Sequence, residues 1–304
     1  IFISSLTHAS DIADAAMVGD FEQVDVLISQ GIDVNEPQVD GNTALHWAAR
    51  FDDLDMASRL MTAGADVAAV NRVLAPPMLL AAINGSAEMI KLFLDHGADP
   101  NAPLSQTGDT PLMIAARTGL AEAVTVLLDA NADVNTRESW GGGTALMYAV
   151  SEGHRNVAAI LIQEGAEVDA RTAFIPRNTG RGLRFEGLPP RARLPDEIGP
   201  QIHTSGEMTP LLITAREGHL DTVRLMIESD ADINARAADG KDALSLAIYN
   251  GNYAVASLLV DSGADLNQAD AMGFTALFWA VDRRNMETAP NFPWIITEDP
   301  LPLV

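Results

Sequence analysis

TPLMIAARTGLAEAVTVLLDANADVN, residues 110–135, holds two apolar runs at helical spacing: Leu112, Ile114, Ala115 and Ala116, then Val124, Val126, Leu127 and Leu128. Thr118-Gly119 parts the runs, and Ala130-Asn131-Ala132-Asp133-Val134-Asn135 closes the second. The pattern predicts helix, tight turn, helix, loop. The same phrase returns along the chain. Its opening anchor falls at Ser10, Thr43, Pro76, Thr110, Thr144, Thr209, Asp242 and Thr275, in steps of 33, 33, 34, 34, 65, 33 and 33 residues. The glycine of the closing turn falls at Gly31, Gly64, Gly97, Gly165 and Gly263, with Asn131 and Asp230 in its place in two copies. Anchor to turn is 21 residues in all seven completed copies, so every change of length lies between a turn and the next anchor. A period of this size marks a stacked-repeat architecture with constant helices and variable loops.

Thr43-Ala44-Leu45-His46-Trp47-Ala48-Ala49, Thr110-Pro111-Leu112, Gly153-His154, Gly218-His219, and the turns Gly97-Ala98-Asp99-Pro100-Asn101 and Gly263-Ala264-Asp265-Leu266-Asn267 resemble the ankyrin repeat family. The resemblance covers nearly the whole chain outside one insertion and the two ends. It implies an all-α fold, an ankyrin-repeat solenoid of stacked antiparallel helix pairs with hairpin-like finger loops. The finger tips and the outer side of the first helices would then form a concave face. No particular partner is implied, because function rides on surface residues. On this register one elongated domain, residues 10–304, carries repeats at 10–42, 43–75, 76–109, 110–143, 144–169, 209–241, 242–274 and an incomplete 275–304.

Composition narrows the function classes. With 19 Lys and Arg against 42 Asp and Glu, the net charge is −23, which opposes sequence-independent attraction to nucleic acid phosphates and to anionic membranes. A basic protein or peptide, or a basic segment of the chain itself, is the natural complement. There is no cysteine, hence no disulfide framework and no thiol chemistry. The apolar start Ile1-Phe2-Ile3-Ser4-Ser5-Leu6 followed by Thr7-His8-Ala9-Ser10 resembles the end of a secretory signal cut after Ala9. Residues 1–9 are expected to be that remnant and the protein to be exported, to a bacterial periplasm. The alternative is an ordinary lead into the first repeat of a cytoplasmic protein.

Three departures from the phrase stand out. In repeat three, Pro76-Pro77 replaces the usual anchor pair and Ala68 the preceding closing Asn, which predicts a slightly irregular helix pair rather than a break. Repeat eight opens as Thr275-Ala276-Leu277-Phe278-Trp279-Ala280-Val281, but Arg283-Arg284-Asn285 and a proline- and aromatic-bearing run stand where a second helix should start. The natural chain is therefore expected to continue past Val304, or else to end in a tail over the last helix pair. The third departure is an insertion at 170–204. It carries Arg171, Arg177, Arg181, Arg184, Arg191 and Arg193 against Glu186, Asp196 and Glu197, and five prolines that oppose helix or central strand. Three roles are open to it: an arm that binds a partner or a second copy, a cover folded back on the acidic repeats, or a tolerated insertion without a role.

Catalytic constellations are sparse. His46, His96, His154 and His219 sit on repeat-phrase positions, where a structural role bonding neighbouring loops is expected. There is no H-E-x-x-H, G-x-S-x-G or Walker loop. Gly141-Gly142-Gly143 lacks the lysine of a phosphate loop, and Asp52, Asp53 and Asp55 lack calcium-loop spacing. No cofactor and no metal is expected.

A non-enzymatic scaffold for a protein or peptide is the reading left. Its contact residues should vary between copies on the fingers and first helices: Asp40, Asn42, Arg50, Phe51, Arg72, Asp109, Arg117, Trp140, Glu152, Arg184, Arg216, Asp239, Lys241, Tyr249 and Phe274. Aromatics and arginines among them are of the types enriched at hot spots. Trp47 and Trp279 share a register position with Leu80, Ile114 and Leu246 and are assigned to the core. The alternative is a structural or regulatory segment of a larger protein whose missing C-terminal part carries the activity; a site under the arginine arm is a third, weaker reading.

Overall fold

A computed structural model describes residues 11–176 and 204–287. The expected leader 1–9, most of the arginine arm with Arg184, and the run from Ala289 to Val304 lie outside the described residues. The chain divides into two compact units, residues up to Ser139 with 144–166, and residues 140–143 with 167 onward. The first unit holds five helix pairs: α1 Asp11–Met17 with α2 Phe21–Ser29, α3 Ala44–Arg50 with α4 Leu54–Thr62, α5 Pro77–Asn84 with α6 Ala87–Asp95, α7 Pro111–Thr118 with α8 Ala121–Asp129, and α9 Ala145–Ser151 with α10 Arg155–Gln163. The second unit holds the short antiparallel strands β1 Ile175–Pro176 and β2 Thr204–Ser205, then α11 Pro210–Glu217 with α12 Leu220–Glu228, α13 Ala243–Tyr249 with α14 Tyr253–Asp261, and α15 Ala276–Glu287. In each unit the first helices pack on one another in one layer and the second helices follow in another.

Local chemistry sets these boundaries. Thr110, Thr144 and Thr209 cap their helices by accepting the backbone N–H of Met113, Met147 and Leu212. Pro77, Pro111 and Pro210 occupy the first helical position, where a missing N–H costs nothing. The proline pair at Pro76-Pro77 thus leaves α5 as regular as α7, and the irregularity expected there is not seen. Every second helix from α2 to α14 is nine residues long. Nine residues after each anchor from Ser10 to Asp242 the backbone turns at positive φ, on glycine in six copies and on Asp52 at φ 55° in the other. The eighth repeat has Arg284 at this place, and α15 runs on to Glu287. At Arg283-Arg284-Asn285, where the repeat phrase would begin a second helix, the first helix continues instead, and no glycine stands there to favour the left-handed stop of its siblings.

The core lies between the two helix layers. Leu45, Leu112, Leu146 and Leu211, two residues after their anchors, are all but fully buried, as are Phe93, Leu60 and Leu127 on second helices. Each such side chain stabilises by roughly 1.5–3 kcal/mol relative to exposure. Turns are joined by a side-chain relay. Asn35 donates to the Gly64 carbonyl at 3.1 Å and accepts the Asp66 N–H at 2.7 Å, and Asn101 does the same with Asn131 and Asp133 at 3.2 and 2.7 Å. Asn135 donates to Gly165, and in the second unit Asn234 accepts from Asp265. Ala68 holds the equivalent place after repeat two and has no side chain to make this link.

At the base of the arm, Thr172 and Met208 pair through N–H to carbonyl at 3.0 Å and N–H to hydroxyl at 2.9 Å. The Arg171 guanidinium donates to the Arg236 carbonyl at 2.8 Å. Among the described residues no helix is long and apolar enough to cross a membrane.

Candidate functional site

In the first unit the inner row of the first helices carries Trp47, Leu80, Ile114 and Tyr148, four residues after their anchors. Trp47 is half-buried, not enclosed: its indole N–H donates to Gln38 at 2.8 Å, its ring lies 5.9 Å from Phe51, and the Arg50 guanidinium sits 5.6 Å from the ring centre. Assigning it wholly to the core was wrong, because the ring is only half-buried. Phe51 is 55% exposed. Arg50, Phe51 and Trp47 therefore form one aromatic–cationic surface.

Asp109 is occupied by its own finger. Its carboxylate accepts the hydroxyls of Ser105 at 2.6 Å and of Tyr148 at 3.0 Å, and it also accepts from Thr107. Burial acts to raise its pKa, but those hydrogen bonds and the charge of Arg117 hold it below the ordinary aspartate value. The Tyr148 hydroxyl is pushed up to about 12 by burial and by the Asp109 carboxylate. The Arg117 guanidinium lies 5.8 Å from the Tyr148 ring. Asn42 and Asp40 hold each other, with Asn42 donating to both Asp40 oxygens, at 2.9 Å from its backbone and 2.7 Å from its side chain. Arg72 and Glu152 are exposed.

The second unit builds a tighter cluster. The Lys241 side chain, 13% exposed, pairs with Asp239 at 2.8 Å and lies 5.7 Å from the Tyr249 ring and 5.4 Å from Trp279. Trp279 donates its indole N–H to buried Asp270 at 3.2 Å, and Phe274 stacks on Phe278 at 3.9 Å. Arg216 pairs with Glu217 at 2.7 Å. Trp140 is 78% exposed at the tip of its finger.

On the finger that carries Arg72, the apolar residues beside it are absent from those picked by sequence. Two residues before each anchor from Thr43 onward the finger backbone is left-handed, on Gly41, Gly108, Gly142, Gly240 and Gly273, but on Leu74 at φ 62° and Glu207 at φ 52°. Such a conformation costs a residue with a Cβ about 1–2 kcal/mol. Leu74 is 50% exposed beside Val73 at 69%, so packing within the chain does little to offset the strain. Aligning the fingers by this position, rather than by variability alone, would have found it.

Among the described residues, His46 and His154 are tied into the scaffold. His46 is buried, Nδ1 beside the Thr43 hydroxyl at 2.9 Å and Nε2 beside the Ala75 carbonyl at 3.0 Å, and burial lowers its pKa. His154 Nε2 meets the Arg117 carbonyl at 3.0 Å. Asp53 caps α4 by accepting from Met56 at 3.0 Å. Among the described residues no group of His, Asp and Glu is arranged to hold a metal.

Family models described as ankyrin repeats match residues 78–172, 194–270 and 211–290, and a further one matches 12–61, together well over half of the chain. Among curated proteins, the human palmitoyltransferase ZDHHC13 is 36% identical over 91 residues, which is 30% of this chain and 15% of that protein. Zygote-specific protein 3 of Chlamydomonas reinhardtii is 42% identical over 79 residues, 26% of the chain and 21% of that protein. The chain thus spans a small fraction of the length of these relatives, and the stretch shared with the palmitoyltransferases is repeat sequence. Among solved structures, the ankyrin repeat domain of Bcl-3 aligns with 79% of this chain and 94% of its own at 25% identity and a TM-score of 0.61. The human ASB11 ankyrin repeat domain covers 86% and 98% at 24% identity and 0.65, a likeness of fold alone.

Proposed function

The chain belongs to the ankyrin repeat family, and from that premise we propose that it is a non-enzymatic scaffold holding a protein or peptide on the surface of its fingers and first helices. One observation carries the reading: inner-row rings four residues after their anchors are paired with cations in three repeats, Trp47 with Arg50, Tyr148 with Arg117 and Trp279 with Lys241. Trp47 and Tyr148 are half-buried rings next to arginine and offer contact area at low entropic cost, the composition of binding hot spots, whereas Trp279 is buried against its lysine. Phe51 and Trp140 add exposed rings that the core does not need. Immobilised full-length chain should capture a stoichiometric partner from an extract of its own organism, and Arg50→Ala with Phe51→Ala should abolish that capture while leaving the far-UV spectrum unchanged. Capture that survives both changes would move the site off this surface.

A second reading, a structural or regulatory segment of a larger protein, draws support from how little of its relatives the chain spans. The complete gene would decide it. Export remains part of the proposal, and cell fractionation with an antibody to the chain tests it.

A further inference from the structure

The finger at residues 69–75 differs from its siblings in a way the fold does not need. Its turn is built by Asn71, whose side-chain oxygen accepts the N–H of Val73 at 3.1 Å and of Ala75 at 3.0 Å, and the Leu74 N–H closes on the Asn71 carbonyl at 2.9 Å. The same closure is made in the preceding finger by Gly41 on Gln38 and later by Gly273 on Asp270, with glycine at the left-handed position. Here a leucine stands in that strained place and turns half its surface to solvent, with Val70 51% and Val73 69% exposed in the same finger. The Arg72 N–H bonds the Asp40 carbonyl at 3.0 Å, which joins this tip to the finger carrying Val39, itself 79% exposed. Strain at a site left half exposed points to a use outside the fold.

We propose that this paired tip, Val39 with Val73 and Leu74, docks a short apolar segment of a partner protein that also presents a carboxylate to Arg72. Charge selects the occupant. In a chain of net charge −23 the exposed Arg72 guanidinium makes no ion pair with any described carboxylate. The neighbouring Asp40 carboxylate is bound by Asn42 on both oxygens and so faces its own finger. An acidic, apolar segment is thus favoured locally, against the basic partner that total charge alone suggests. The inference rests on the scaffold reading above and adds a location and a partner chemistry to it.

A random dodecapeptide phage library panned on the full 304-residue chain tests it. Enriched peptides should combine apolar side chains with Asp or Glu. The best of them, made synthetically, should bind at least tenfold more weakly to Leu74→Gly and to Arg72→Glu. Leu74→Gly should at the same time keep or raise the melting temperature, since it relieves the left-handed strain, so a loss of binding cannot be unfolding. Peptides rich in Lys and Arg, or binding indifferent to Leu74→Gly, overturn the inference. If such indifferent binders are lost on Arg50→Ala with Phe51→Ala, the scaffold reading stands without it; a library that yields no binder overturns both.

Discussion

Helices α13 and α15 hold the same register in consecutive repeats of one unit, yet their side chains meet different surroundings. On α13, Leu244 and Ile248 are 2% and 3% exposed; on α15 the matching Leu277 and Val281 are 52% and 45% exposed. Helix α13 is followed by Gly251 at φ 80° and by its own second helix, α14, whereas α15 runs on. Both carry apolar residues of similar size at these positions, so the difference lies in what is laid against them. A first helix of this phrase is a half-built core, completed by its own second helix and by the next repeat. Along the seam between the two helices runs a groove of about 240 Å³ lined by Leu244, Ile248, Val260, Leu266, Leu277 and Ala280.

The comparison can be broken most directly by truncation. Leu244→Ala should lower stability by about 2–5 kcal/mol, as for a buried leucine, and Leu277→Ala by less than about 1 kcal/mol. Urea midpoints of the two variants check this, and equal losses would mean that the outer face of α15 is covered after all. A smaller effect sharpens the contrast at the inner row. Trp279→Leu, which gives α15 the residue that α13 has at Leu246, removes the indole donor from Asp270 and the ring from Tyr249 and Lys241. A loss of roughly 1–3 kcal/mol is expected in the same assay.

The smallest effect concerns the anchors, Asp242 before α13 and Thr275 before α15. Asp242 accepts the Ser245 N–H at 2.7 Å, but its burial raises the carboxyl pKa. The folded chain therefore holds this proton more tightly than the unfolded chain. The stability it contributes is complete below the unfolded pKa of about 3.9 and falls as pH rises through the folded value. Asp242→Thr should raise stability by about 0.5–1 kcal/mol at pH 7. The gain should shrink as the pH drops below the ordinary aspartate range, which thermal melts at pH 7 and pH 3 would show.

Much of this architecture is written in the spacing. The fixed interval from anchor to turn foretold second helices of one length, while the capping by Thr110, Thr144 and Thr209 emerged only from the structure. At Arg283-Arg284-Asn285 the sequence showed a departure from the phrase but not that α15 would run on to Glu287. The binding surface was less legible. Variation between copies selected Asn42, Asp109 and Asp239 alongside Phe51 and Arg72, yet the first three are engaged by their own fingers. Variation alone does not separate residues that build a finger from those that face outward. Nor does it register Leu74, whose oddity lies in a backbone angle and emerges only when the fingers are superposed.

The missing asparagine at Ala68 bears on how the molecule yields. Repeat arrays are held by nearest-neighbour interfaces, so cooperativity along the array is only as strong as its weakest junction. Between repeats two and three the turn-to-turn link is absent, and the finger that crosses this junction already stores strain at Leu74. Heat or mechanical load should part the first unit there before elsewhere, between the turn at Gly64 and the turn at Gly97, while the fingers of Val39 and Val73 stay joined through the Arg72 N–H and the Asp40 carbonyl. The proposed docking patch thus lies on the N-terminal side of the molecule's own fault line and would outlast the first break.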